Sequence, residues 1–119
     1  MTNKNPDLCI RTKSFSLALI KFYSKLPKTT EAQVIGKQLL RSGTSVGAQY
    51  HEAKQARSKA EFISKIGGAL QELEETIYWL DLLDLSHIKT PPSLPDAIAE
   101  AKEIKAMLIA TSRTIKAKK

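Results

Sequence analysis

Histidines, a cysteine and closely spaced carboxylates are the residues of this chain that could do chemistry, and their spacing decides whether they can. A metal site in a helix bundle takes Glu-x-x-His pairs with further carboxylates aimed into one core. Asp84-Leu-Ser-His87 has the i, i+3 spacing at a predicted helix end, but no second pair accompanies it. His51 is followed directly by Glu52, a spacing at which two side chains of a helix do not easily share a metal. Glu72 and Glu75 could pair for general acid–base work, yet both lie off the apolar seam of their helix, where solvated carboxylates keep ordinary acidities. Surface or intersubunit salt bridging is the plainer role for them. Cys9 has no local sign of activation. There is no Gly-rich phosphate loop and no serine-elbow spelling, and Gly67-Gly68 falls inside a helical stretch. The chain is therefore expected to be no enzyme and to hold neither metal nor cofactor.

What remains is positive charge. The net charge of +7 is uneven: residues 1–57 carry ten Lys/Arg against three acids, and residues 58–90 carry three against six. Lys37 and Arg41 stand one turn apart on a common helix face, with His51 nearly in line. Lys13, Lys21, Lys25 and Lys28 could widen that face, and Arg113 with Lys116 begins a basic end. Lys37, Arg41, His51, Arg113 and Lys116 are the candidate nucleic-acid contacts. No aromatic platform is interleaved with them, so phosphate contact is indicated rather than reading of bases. The acidic stretch admits a second use of the charge, complementing the basic half between helices or subunits.

Four elements must position these residues. At 119 residues the chain is long enough for one domain with a real core. Helices are predicted at about 7–26, 30–57, 59–85 and 94–117. Leu8, Phe15, Leu19, Phe22 and Leu26 make the seam of the first, which Pro27 ends. The second offers Ile35, Leu39, Ser42, Val46 and Ala53, with Tyr50 at the edge. It also carries Gly36, Gly43 and Gly47, each costing about 1 kcal/mol against Ala, so close approach of a neighbouring helix is expected. Ser58-Lys-Ala-Glu61 spells a capping box before the third helix, whose seam is Phe62, Ile66, Ala69, Leu73, Ile77 and Leu80. SHIKTPP is a loop, and Ser93 with Pro95 and Asp96 reads as the cap of the fourth helix. Ala97, Ala101, Ile104, Leu108 and Ile115 are its seam.

Short connections between four such stripes predict an all-α, antiparallel up-down-up-down four-helix bundle. Ile10 and Leu17 point away from their seam, and Tyr78, Trp79 and Leu82 leave the third helix apolar nearly all round at one end. These five are the candidate oligomer interface. No apolar run approaches the roughly 20 residues that span a bilayer, the first residues lack the apolar core of a secretory signal, and a lone cysteine suits a reducing cytoplasm.

The stretches LLRSGTSVGAQYHEA (39–53) and AEFISKIGGALQELEETIYWLDLL (60–83) resemble a bacterial family, the four-helix-bundle proteins encoded in intervening sequences of 23S ribosomal RNA genes. The pattern is carried by Leu39, Arg41, Ser42, Ser45, Ala48, Glu52 and Ala53, then Phe62, Ile63, Lys65, Glu72, Glu75, Tyr78, Trp79 and Leu80. Val46 replaces an Ile of the family pattern and Gln49 an Asn. The resemblance implies a homo-oligomer, typically a pentamer with a central channel. It also implies kinship with accessory proteins of diversity-generating retroelements, which bind nucleic acid and a reverse transcriptase. The expected partners are thus further copies of the chain, nucleic acid (RNA first), and alternatively a reverse transcriptase that the protein serves as adaptor. No catalytic residues come with the resemblance.

Overall fold

The computed structural model describes residues 7–118 and places four helices there: α1 Leu8–Ser24, α2 Thr30–Lys54, α3 Lys59–Leu85 and α4 Leu94–Ala117. Three of the four starts have a side-chain cap. Asp7 Oδ1 accepts from Cys9 N at 2.8 Å, Thr29 Oγ1 from Ala32 N at 3.4 Å, and Ser58 Oγ from Glu61 N at 3.0 Å. Glu61 reaches back to Arg57 N at 3.2 Å, one residue ahead of the capping-box position. Ser93 occupies the N-cap of α4 without a side-chain hydrogen bond, and the proline in the first turn sets that start instead. Two helices end earlier than their sequence pattern. α1 stops at Ser24 and not at 26, because the turn onto Pro27 needs the last residues; Leu26 is buried from outside the helix. α2 stops at Lys54 and not at 57, since the chain must turn before the Ser58 cap.

Each helix packs on its chain neighbours, α4 returns to α1, and the backbones of the two diagonal pairs stay apart. That is the square arrangement of an up-down-up-down bundle. The α2–α3 junction is the most extensive and the α1–α4 junction the least. The core runs along the axis through Leu19, Leu39, Val46, Ile66, Leu73, Leu80, Ile104 and Leu108, all essentially closed to solvent. The predicted seams are found with local shifts. Thr12, Thr76 and Ser112 join the core, while Phe62, Ile77, Ala97 and Ile115 are only half-buried.

The glycines of α2 explain how α1 comes so close. A Cβ at Gly43 would overlap Leu19 Cδ1, and one at Gly36 would lie 2.7 Å from Leu26 Cδ1 and 2.8 Å from Tyr23 Cδ1. At Gly47 it would meet Thr12 Cβ at 3.3 Å and the Thr12 backbone carbon at 3.5 Å. The propensity lost at these positions is offset by side chains of α1 seated on the bare α2 backbone. Across the sparse α1–α4 junction one cation ties the two helices through ion pairs. Arg11 holds Glu100 through Nε at 2.7 Å and Nη2 at 2.8 Å, and Nη2 also reaches Glu103 at 2.9 Å.

Candidate nucleic-acid interface

The sequence stretches that carry the family pattern converge on one place, the α2–α3 junction. Arg41 donates to Glu72 Oε1 at 3.3 Å and to Glu75 Oε2. Glu75 Oε2 also accepts the Trp79 indole N–H at 3.0 Å. Directly inside, Thr76 Oγ1 and Ser42 Oγ lie 2.9 Å apart, both fully buried. Two turns beyond, the Gln49 amide lies over Gly68, where a Cβ would stand 2.9 Å from Gln49 Oε1. Glu52 accepts from Lys65 at 2.6 Å. Arg41, Ser42, Gln49 and Glu52 are thus the α2 half of a lock whose α3 half is Glu72, Glu75, Thr76, Trp79, Gly68 and Lys65.

This geometry corrects two readings. Arg41 was expected on an open basic face, but its guanidinium is already paired with two carboxylates, which raise its pKa, Glu75 by the larger share. The Glu75 carboxyl is in turn held below the ordinary carboxylate range, first by the Trp79 N–H and then by Arg41. Trp79 was expected well off the core side. It is half-buried within the chain, packed against the core, with its N–H consumed by Glu75 and its ring edge-on to Tyr78 at 5.1 Å. A tryptophan has reach enough to fold back along the helix, which a helical projection does not register. Glu72 and Glu75, left as candidates for surface or intersubunit pairing, bridge α2 and α3 within the chain through Arg41.

The other candidates are placed as follows. Lys37 and His51 are exposed on α2, and Arg113 and Lys116 on the last turns of α4. His51 shares a cleft of about 510 Å³ between α1 and α2 with Cys9, Lys13, Ser16 and Thr44, floored by Gly47 and Ala48. Lys59 was not among the candidates, yet its ammonium reaches the carbonyls of Lys116 (3.4 Å) and Lys118, neutralising the exposed C-terminus of α4. Lys54, Lys59 and Lys118 line one further cleft at that end. Up-down topology, which brings the α2–α3 turn beside the end of α4, was the signal available for this grouping. Ile10, Leu17 and Tyr78 are exposed, and Leu82 is half-buried.

The lysines of the α1–α2 face differ from the cations of the locks. Among the described residues no carboxylate pairs with Lys13, Lys21, Lys25, Lys28 or Lys37, whereas Arg11, Arg41, Lys65 and Lys105 are all bridged. No group of three or more metal-ligating side chains occurs among those residues, and no helix is long and apolar enough to cross a membrane.

A small all-α bundle, locked between α2 and α3 by the residues of a two-part motif, is the class that fold and site define. The family model of the 23S rRNA-intervening sequence protein matches residues 5–110, and the chain belongs to that family. Among solved structures it is similar to a protein of unknown function from the S23 ribosomal protein family of Bacteroides thetaiotaomicron. The two are 36 % identical with a TM-score of 0.82, over 89 % of this chain and 98 % of that one. No curated protein matches the chain.

Proposed function

We propose that this is a non-enzymatic, cytoplasmic, homo-oligomeric protein that binds RNA through the phosphate backbone. The observation carrying this is that Lys13, Lys21, Lys25, Lys28 and Lys37, exposed on α1, on α2 and in the turn between them, form no salt bridge among the described residues. A surface of unpaired lysines binds polyanions by releasing their counterions, and several copies joined together multiply the lysines available to one strand. Membership in a family named for an rRNA intervening sequence favours RNA as the polyanion. Lys13 and Lys37 provide the central contacts, His51 a weaker one, and Arg113 with Lys116 extends the surface at one end. Arg41 belongs to the α2–α3 lock and contributes to the field without being free to move onto a phosphate.

The test is fluorescence anisotropy with a labelled RNA hairpin at several salt concentrations. Affinity is expected to fall steeply with salt, with a slope of roughly 0.7–0.9 log unit per log unit of salt for each phosphate neutralised. Lys13→Glu/Lys37→Glu is expected to weaken binding and to flatten that slope. Absence of binding at low salt, or a double variant that binds like the native chain, would overturn the proposal.

A further inference from the structure

At one end of the bundle the start of α1, the end of α2 and the last turns of α4 enclose a cleft of about 480 Å³. That is a size at which small-molecule sites occur, roughly 300–1,000 Å³. Leu8, Met107 and Ile115 give it an apolar wall, and Asp7 and Lys54 stand exposed at its rim. Tyr50 is the polar side chain of that wall that is also buried, at 7 % exposure.

A phenol oxygen taken that far out of water usually finds a hydrogen-bond partner, because leaving it bare forfeits the bond it had to solvent. Tyr23, only half-buried, donates to Gln33 Oε1 at 2.6 Å. The Tyr50 hydroxyl has no such partner among the described residues, and since no side-chain oxygen there is both sealed and unpartnered, it keeps its opening through the cleft. Burial first, then Cys9 and Asp7, push its pKa up, so at neutral pH it stands ready to donate. The α1–α2 cleft differs in this respect. Its buried polar side chain is Thr12, whose hydroxyl is spent on Leu8 O at 2.6 Å.

We propose that this end cleft binds a small organic carboxylate, with the apolar body against Leu8, Met107 and Ile115 and the head between Tyr50 and Lys54. The inference rests neither on RNA binding nor on assembly. The head must be an acceptor, because the groups with something to give are the Tyr50 O–H and the Lys54 ammonium, which forms no ion pair among the described residues. Thr111 spends its proton on Met107 O at 2.9 Å. The opposite charge of Asp7 is already engaged: Oδ1 accepts from Cys9 N at 2.8 Å, at the positive end of the α1 dipole. The apolar wall is set before a ligand arrives, since Arg11 Nη1 holds Met107 Sδ from outside the cleft at 3.4 Å.

The test titrates octanoate into the isotope-labelled full chain and follows backbone amides by heteronuclear NMR, with octanol and octylammonium as probes of the same apolar body. Octanoate is expected to shift the amides of Leu8, Tyr50, Lys54 and residues 107–115 saturably, octanol more weakly and octylammonium not at all. Tyr50→Phe breaks no hydrogen bond among the described residues, so it is expected to melt like the native protein by far-UV circular dichroism and to bind octanoate about tenfold more weakly. Asp7→Asn still caps α1 and is expected to bind octanoate more tightly. Octanoate that fails to saturate, shifts scattered over the whole surface, octylammonium binding as well as octanoate, or Tyr50→Phe binding as the native chain does would each overturn the site. So would a Tyr50→Phe protein that melts well below the native one, since the hydroxyl would then be serving the fold.

Discussion

Gly43→Ala and Gly67→Ala add the same methyl group to two mid-helix glycines, one against Leu19 and the other into open space. The gain in helix propensity is common to both, about 1 kcal/mol. At Gly67 nothing lies within 4 Å of the new Cβ, so the whole gain is expected to appear as stability. At Gly43 the Cβ takes the place of Leu19 Cδ1, and Leu19 is 1 % exposed with core on every other side. Forcing such a side chain out of its rotamer costs about 1–3 kcal/mol. The two variants are expected to differ by that amount, which for a domain of this size is roughly 4–12 °C in Tm. Gly67→Ala should melt above the native protein and Gly43→Ala at or below it. Thermal and urea melts followed by far-UV circular dichroism at fixed protein concentration measure the difference. If Gly43→Ala proves as stable as Gly67→Ala, the seating of α1 on the α2 glycines is not what this fold depends on.

Other perturbations separate the two locks. Arg11→Gln, which removes the bidentate bond to Glu100, is expected to cost about 1–2 kcal/mol and to speed amide exchange in α1 and α4 ahead of α2 and α3; uniform exchange would count against it. Ser42→Ala and Thr76→Val are each expected to cost about 1 kcal/mol, with the double variant costing less than their sum, because both report one buried hydrogen bond. Strict additivity would mean the two hydroxyls act separately. Glu75 has a folded-state pKa below its unfolded one, so its stabilisation is complete above the ordinary glutamate pKa of about 4.3 and lost as pH falls through the folded value. Glu75→Gln should therefore be less stable than the native chain near neutrality, by up to about 1 kcal/mol for so exposed a pair, and should converge with it on acidification. Urea midpoints across that range check this, and a gap independent of pH would refute it.

The apolar periodicity of the sequence already contains the four helices, because a stripe at helical spacing can be buried only one way. It also contains most of their ends: Asp7, Thr29 and Ser58 cap by side chains that need only the next turn of backbone. Even the glycines of α2 announce a close neighbour, since their cost in an isolated helix has to be met by something. What the sequence leaves open is which helix the neighbour is, and the structure shows α1, with Thr12, Leu19 and Leu26 against Gly47, Gly43 and Gly36.

Charge was the least legible property. Arg41 and Lys37 stand one turn apart and look alike on a helical projection, yet one is claimed by Glu72 and Glu75 from a residue separation of more than thirty positions and the other faces solvent. Trp79 likewise projects outward but folds back onto Glu75 and the core. Residue types and local spacing, short-range properties of the chain, determined the helices, the bundle and the family pattern. The tertiary structure alone decided which cations remain unpaired, because an ion pair between helices depends on the rotation of one helix against another, which no spacing within either can fix.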